Sequence, residues 1–158
     1  MKGRKYLLEP IQANEIEWRV QSQTKNKDKL IIVPYITNRC VMERFDAAFG
    51  WDKWHNEFKE MPDGFICIMK VDTEEGLVVK SDGANKTNIE PVKGGISDSM
   101  KRVAVQFGLG RNLYDYPKVM IETTDKYIPF WAKPRLEKMV EVINKGAFAD
   151  EVVILKNK

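Results

Sequence analysis

Ile16-Glu-Trp-Arg-Val-Gln-Ser22 alternates apolar and polar side chains, the period-two pattern of a strand with one face buried. Gln23 to Lys29 is a polar, lysine-rich connector, and Leu30-Ile-Ile-Val33 reads as a second, buried strand that Pro34 ends. These two runs predict an N-terminal hairpin. From Asn38 the period changes: Val41, Phe45, Ala48 and Phe49 recur at i, i+4, i+7 and i+8, one helical stripe, with Gly50 as the terminating residue. Arg44 lies at the flank of that stripe, where a long side chain can reach outward.

Three strands are predicted next, Trp54–Met61, Phe65–Asp72 and Leu77–Ser81, separated by the turn sequences Pro62-Asp63-Gly64 and Thr73-Glu-Glu-Gly76. Connections this short make an antiparallel meander. Asp82 to Gly95 is rich in glycine and asparagine and is expected to be a mobile loop. Ile96, Met100, Val103, Ala104 and Phe107 then form a second helical stripe, with Asp98, Lys101, Arg102 and Val105 opposite it. A short apolar segment at Lys118–Glu122, a loop through Pro129-Phe-Trp131, a third helix from Pro134 to Asn144 and a strand-like tail at Asp150–Lys156 complete the chain. The predicted class is α+β, a three-stranded meander packed against helices in an α-β-β-β-α core. Residues 1–117 are expected to form that core. Residues 118–158 are expected to be an extension within the same domain or a bridge between protomers.

Composition narrows the function. With 158 residues, 43% of them hydrophobic and 31% charged, the chain can bury one core and is not a disordered polymer. No apolar run nears the ~20 residues of a membrane span. The basic start is followed by a two-residue apolar stub, where a signal peptide needs about 7–15 residues. The expectation is a cytoplasmic protein without membrane contact. Cys40 and Cys67 fall in segments that read as buried, the pattern of free thiols in a reducing compartment. The single histidine, His55, sits at the start of a strand beside tryptophans and is read as a packed or surface residue.

Charge is unevenly distributed. Between Trp18 and Arg44 six cations face two carboxylates; from Phe45 to Val79 three face eight; from Lys80 to Arg111 six face three. Two basic stretches flanking an acidic middle make a polyanion groove if the fold joins them. The Lys101-Arg102 pair is the sharpest feature, because adjacent helical residues project about 100° apart and both can line one groove wall. No phosphate-binding Gly-x-x-x-x-Gly-Lys-Ser/Thr is present, and Gly108-Leu-Gly110 follows a helix and is read as its terminator. Asp63, Asp72, Glu74 and Glu75 are the carboxylates from which a metal-dependent nuclease would be built.

Two blocks carry a resemblance. The first runs Tyr35-Ile-Thr-Asn-Arg39-Cys-Val-Met-Glu-Arg44-Phe-Asp46-Ala-Ala-Phe49-Gly50-Trp51-Asp-Lys-Trp54, and the second Ser97-Asp98-Ser-Met-Lys101-Arg102-Val-Ala-Val-Gln-Phe107-Gly108. Their order and spacing resemble the Rad-fifty-two superfamily of single-strand annealing proteins, most of all its small phage members of the Sak type. Ile16-Glu17-Trp18-Arg19 is similar to a strand of the phage branch. The resemblance spans roughly Ile16 to Pro117.

It implies protomers joined in an oligomeric ring with single-stranded DNA in an outer basic groove. Lys101 and Arg102 match the family's groove-lining pair. A further family cation near the start of the first helix corresponds to Arg39 or, with a one-residue shift, to Cys40. Where one branch carries a third cation this chain has Val105, leaving Arg19, Arg44, Lys93 and Arg111 as candidates for the remaining charge. The resemblance also implies annealing without ATP, cofactor, metal or catalytic constellation. A phage exonuclease or the host single-strand binding protein would be the partner, in the host bacterial cytoplasm if the chain is phage-encoded. Two other classes suit the residues alone: a non-annealing nucleic-acid module, including one for double-stranded RNA, and the small metal-dependent nuclease.

Overall fold

The computed structural model describes residues 1–158. In chain order the first elements are α1 (Arg4–Leu8), β1 (Glu17–Gln23), β2 (Lys29–Tyr35), α2 (Asn38–Phe49), β3 (Trp54–Met61) and β4 (Gly64–Thr73). They are followed by β5 (Gly76–Asn85), α3 (Pro91–Phe107), β6 (Lys118–Glu122), α4 (Ala132–Asn144) and β7 (Val152–Leu155). The class is α+β, with four helices and a three-stranded antiparallel sheet. Two compact units form: Met1–Glu9 with Ile36–Arg111, and Pro10–Tyr35 with Asn112–Lys158. None of the helices is long and apolar enough to cross a membrane.

In the first unit β3, β4 and β5 form the expected meander, with β4 paired along its whole length from Gly64↔Asn85 to Thr73↔Gly76. Phe65, Cys67, Met69 and Val71 alternate inward from β4 and are buried, while Ile66, Ile68 and Lys70 on the other face are half-exposed. α2 begins where the Thr37 hydroxyl accepts the Cys40 amide at 3.3 Å, satisfying one of the helix's unpaired N–H groups. It ends at Gly50, whose φ of 98° suits a residue without a side chain. Phe45, fully buried, has its ring centroid 5.7 Å from Phe49, 5.5 Å from Trp54 and 5.4 Å from Phe107, so one aromatic cluster joins α2, β3 and α3.

α3 departs from expectation at its start. Of the stretch Asp82–Gly95 only residues 86–90 are a loop: β5 continues to Asn85 and the helix begins at Pro91, five residues before Ile96. Pro91 occupies the first turn, where its missing N–H costs nothing. Gly94 and Gly95 serve close packing rather than mobility. A Cβ on Gly95 would stand 2.6 Å from Cδ2 of the buried Phe65 ring, so only glycine lets α3 lie this near β4. The thiols of Cys40 and Cys67 are both buried, and burial pushes Cys67 up to about 11.

The second unit is a four-stranded sheet in the order β1-β2-β6-β7. The hairpin forms as expected, with a register shift between Val20 and Ser22. β2 passes through Pro34, which was expected to end it. Pro34 is opposite Trp18 on β1, while the β6 pairing of β2 covers only Lys29 to Ile32, so the absent N–H interrupts no second ladder. β6 also pairs with β7, in parallel, so the tail beyond residue 150 is a sheet strand. Leu30, Ile32, Val119 and Ile121 pack against Ala132, Leu136 and Met139 of α4 to make this unit's core.

Replacing Gly95 by alanine sets about 1 kcal/mol of improved helix propensity against overpacking worth about 1–3 kcal/mol. The ring it meets is buried and cannot move aside cheaply. Gly95→Ala is therefore expected to lower the denaturant midpoint; an unchanged or raised midpoint would show that α3 is not held this closely.

Candidate nucleic-acid interface

α3 buries Gly95, Ser99, Met100, Val103, Ala104 and Phe107, which leaves Asp98, Lys101, Arg102, Val105 and Gln106 on its other side. The Lys101 side chain is 26% exposed and its Nζ lies 3.5 Å from the Asp98 carboxylate, one turn earlier. Arg102 is 57% exposed and donates from Nε to Oδ1 of Asp82 on β5 at 3.2 Å. That bond fixes the guanidinium at its inner nitrogen and leaves the Nη pair for an external acceptor such as a phosphate.

Asp82 is itself held from several sides. Its Oδ1 accepts the Gly83 amide at 2.7 Å, and Gln106 Nε2 reaches Oδ2 at 3.3 Å while donating to the Ser81 carbonyl at 2.6 Å. Partial burial alone would raise this carboxyl. The hydrogen bonds from Gly83, Arg102 and Gln106, with the Arg102 charge, outweigh it and hold Asp82 below the usual carboxylate range. The group is thus anionic across neutral and mildly acidic pH, and the strand-to-helix clamp persists there.

The other expected cations are placed differently. Lys93 lies in the first turn of α3, about 12 Å before Lys101 along the axis, exposed and 3.4 Å from Glu90. Arg111 closes the far end of the helix, donating from Nε to the Val105 carbonyl at 2.8 Å and from Nη2 to that of Gln106 at 2.9 Å. Arg39 is exposed in the first turn of α2. Arg19 is exposed on β1 and belongs to the second unit.

Arg44 does not reach outward. It is 3% exposed, and its Nη1 donates to the Tyr6 carbonyl at 3.0 Å and the Glu9 carbonyl at 3.5 Å, with the guanidinium 4.8 Å from the Tyr6 ring centroid. It fastens α1 to α2, as the short helix's carbonyls need a donor. Sequence reasoning did not find Asp82 or Gln106. Gln106 stands four residues after Arg102 and shares its side of the helix, a legible signal; the partnership of Asp82 with a residue twenty positions away is not.

The acidic turns do not converge. Asp63 precedes β4, whereas Asp72, Glu74 and Glu75 cluster at its far end, about 30 Å along a strand of this length. No group of three or more His, Cys, Asp and Glu side chains is placed to hold a metal ion. His55 is exposed on β3.

Residues 3–131 match the family model described as Rad52/22 family double-strand break repair protein. Similar proteins include two described as single-stranded DNA-binding protein DdrA. The one from Deinococcus deserti is 30% identical over 145 residues, which cover 85% of this chain and 72% of that protein. The one from Deinococcus radiodurans is 29% identical over 150 residues, covering 85% and 69%.

Removing Arg44 takes away a buried guanidinium that bonds the Tyr6 and Glu9 carbonyls and opens space beside the Tyr6 ring. Arg44→Ala is expected to cost roughly 2–4 kcal/mol of stability, against less than about 0.5 kcal/mol for Arg102→Ala at its exposed site. Urea unfolding of both variants checks this; equal destabilisation would contradict the assignment of Arg44 to structure.

Proposed function

The chain belongs to the Rad52/22 family of double-strand break repair proteins, and on that premise we propose that it binds single-stranded DNA and anneals complementary strands. The supporting observation is the Lys101–Arg102 pair, presented on a helix whose other face is anchored in the core and whose arginine is clamped at Nε. Arg39, Lys93 and Arg111, which share the first unit with that pair, are further phosphate contacts in this reading. Arg44 is left out of it. The DdrA relatives, described as binding single-stranded DNA, point the same way.

Two complementary strands repel through their phosphates and conceal bases in transient hairpins. Cations that grip phosphates reduce the repulsion and extend the strand, and bases left facing outward can be sampled by a second strand. No bond is broken, so neither ATP nor metal chemistry is required. One protomer offers few such contacts; a ring of protomers repeats them along one strand and multiplies their effect. Exposed Leu77, Val78 and Val79 on the edge strand β5 supply apolar area for such copy-to-copy contact. The Arg39-x-x-x-x-Arg44-x-Asp46 form supports the small phage branch as subtype, with an exonuclease or a host single-strand binding protein as partner in the bacterial cytoplasm.

Lys101→Ala and Arg102→Ala are each expected to weaken single-strand binding about fivefold to tenfold at matched salt. Each variant neutralises one phosphate fewer, so each should also reduce the log–log salt slope by about 0.7. Fluorescence anisotropy across a salt series reads both effects. Unchanged affinity and slope in both variants would overturn the assignment of this surface.

A further inference from the structure

The segment between β6 and α4 presents aromatic rings and cations together. Phe130 is 92% exposed and Tyr127 67% exposed, and the lysines beside them, Lys126 and Lys133, are exposed and make no salt bridge. The display is rigid. Ile128 and Trp131 pack against the second unit's core, Pro129 is buried, and the Pro129 carbonyl accepts the Ala132 amide at 3.0 Å. Arg135 lies 5.3 Å from the Trp131 ring centroid and is anchored through hydrogen bonds to the Lys156 carbonyl and, at 2.7 Å, that of Lys158. With its neighbours turned inward and fastened, the segment holds Tyr127 and Phe130 in water at little further loss of freedom on binding.

Exposed aromatic rings beside cations are the side-chain combination with which proteins hold single strands, the rings stacking on bases and the cations meeting phosphates. Two flanking lysines suit an anionic occupant, and two rings set between cations suit a single strand, which offers unpaired bases to the rings and phosphates to the lysines. We propose that this segment is a second single-stranded DNA site, in which Tyr127 and Phe130 stack on unpaired bases and Lys126 and Lys133 hold the adjoining phosphates. It rests on the single-strand binding reading above and adds what that surface lacks. Phosphate contacts hold single strand and duplex alike, whereas a ring can stack only on a base that is not already stacked in a duplex. Tyr127 and Phe130 therefore give the preference for unpaired DNA, and annealing removes their ligand, which favours release of the product.

The test compares the full chain with Tyr127→Ala/Phe130→Ala and with Lys126→Ala/Lys133→Ala. The probes are one labelled oligonucleotide and its duplex, at matched salt, with solution mass measured for each protein. The aromatic variant should lose at least about fivefold in single-strand affinity, with duplex affinity, salt slope and mass unchanged. The lysine variant should weaken both ligands and flatten the salt slope. Equal weakening on single strand and duplex from the aromatic variant, or a fall in its mass with affinity intact, would overturn the proposal; the latter would make the rings an interface between copies. If the unaltered chain binds no single strand, the parent reading fails and this one with it. If it binds and the aromatic variant binds equally well, only this proposal fails.

Discussion

Helix α3 lies flush on the three-stranded sheet because Gly95 carries no side chain where the Phe65 ring sits, and because Phe107 meets the buried ring of Phe45 at the helix's other end. Much of the first unit's chemistry follows from that seating. Only a helix this near β5 lets Arg102 and Gln106 reach Asp82 and the Ser81 carbonyl. Lys101 and Arg102 inherit their rigidity from the packed face behind them, so their charges need little ordering when a phosphate arrives.

Cations in this chain divide into two kinds. Arg44 is buried and serves backbone carbonyls beside α1, whereas Arg111 bonds carbonyls at the end of α3 and stays exposed. Arg102 is held at one nitrogen and open at the others, and Arg39, Arg19, Lys126 and Lys133 are exposed. A count of basic residues cannot separate these kinds. Burial and hydrogen bonding do, and they favour a surface reading of charge for some residues and a structural one for their neighbours.

Local pattern was enough for much of the fold. The Val41-Phe45-Ala48 stripe, with Gly50 after it, marks α2, and the turn sequences around Gly64 and Gly76 delimit the meander. What failed was non-local. Gly94 and Gly95 read as loop residues because nothing in the sequence says that an aromatic ring will press against them. The pairing of β2 with β6, some ninety residues apart, has no local signature either, nor has the burial of Arg44 beneath α1. The Lys101-Arg102 pair was legible from periodicity. Tyr127 and Phe130 were not, because their exposure depends on which neighbours turn inward, and loops carry no period to reveal that.

Annealing itself is the most direct measurement: duplex formation between two complementary labelled oligonucleotides, without nucleotide or magnesium, across a salt series. Duplex should form well above the spontaneous rate at low salt, with the acceleration disappearing as salt rises. Tight binding of each strand with no acceleration at any salt would mean that the bases are hidden when bound, and would contradict annealing as the function.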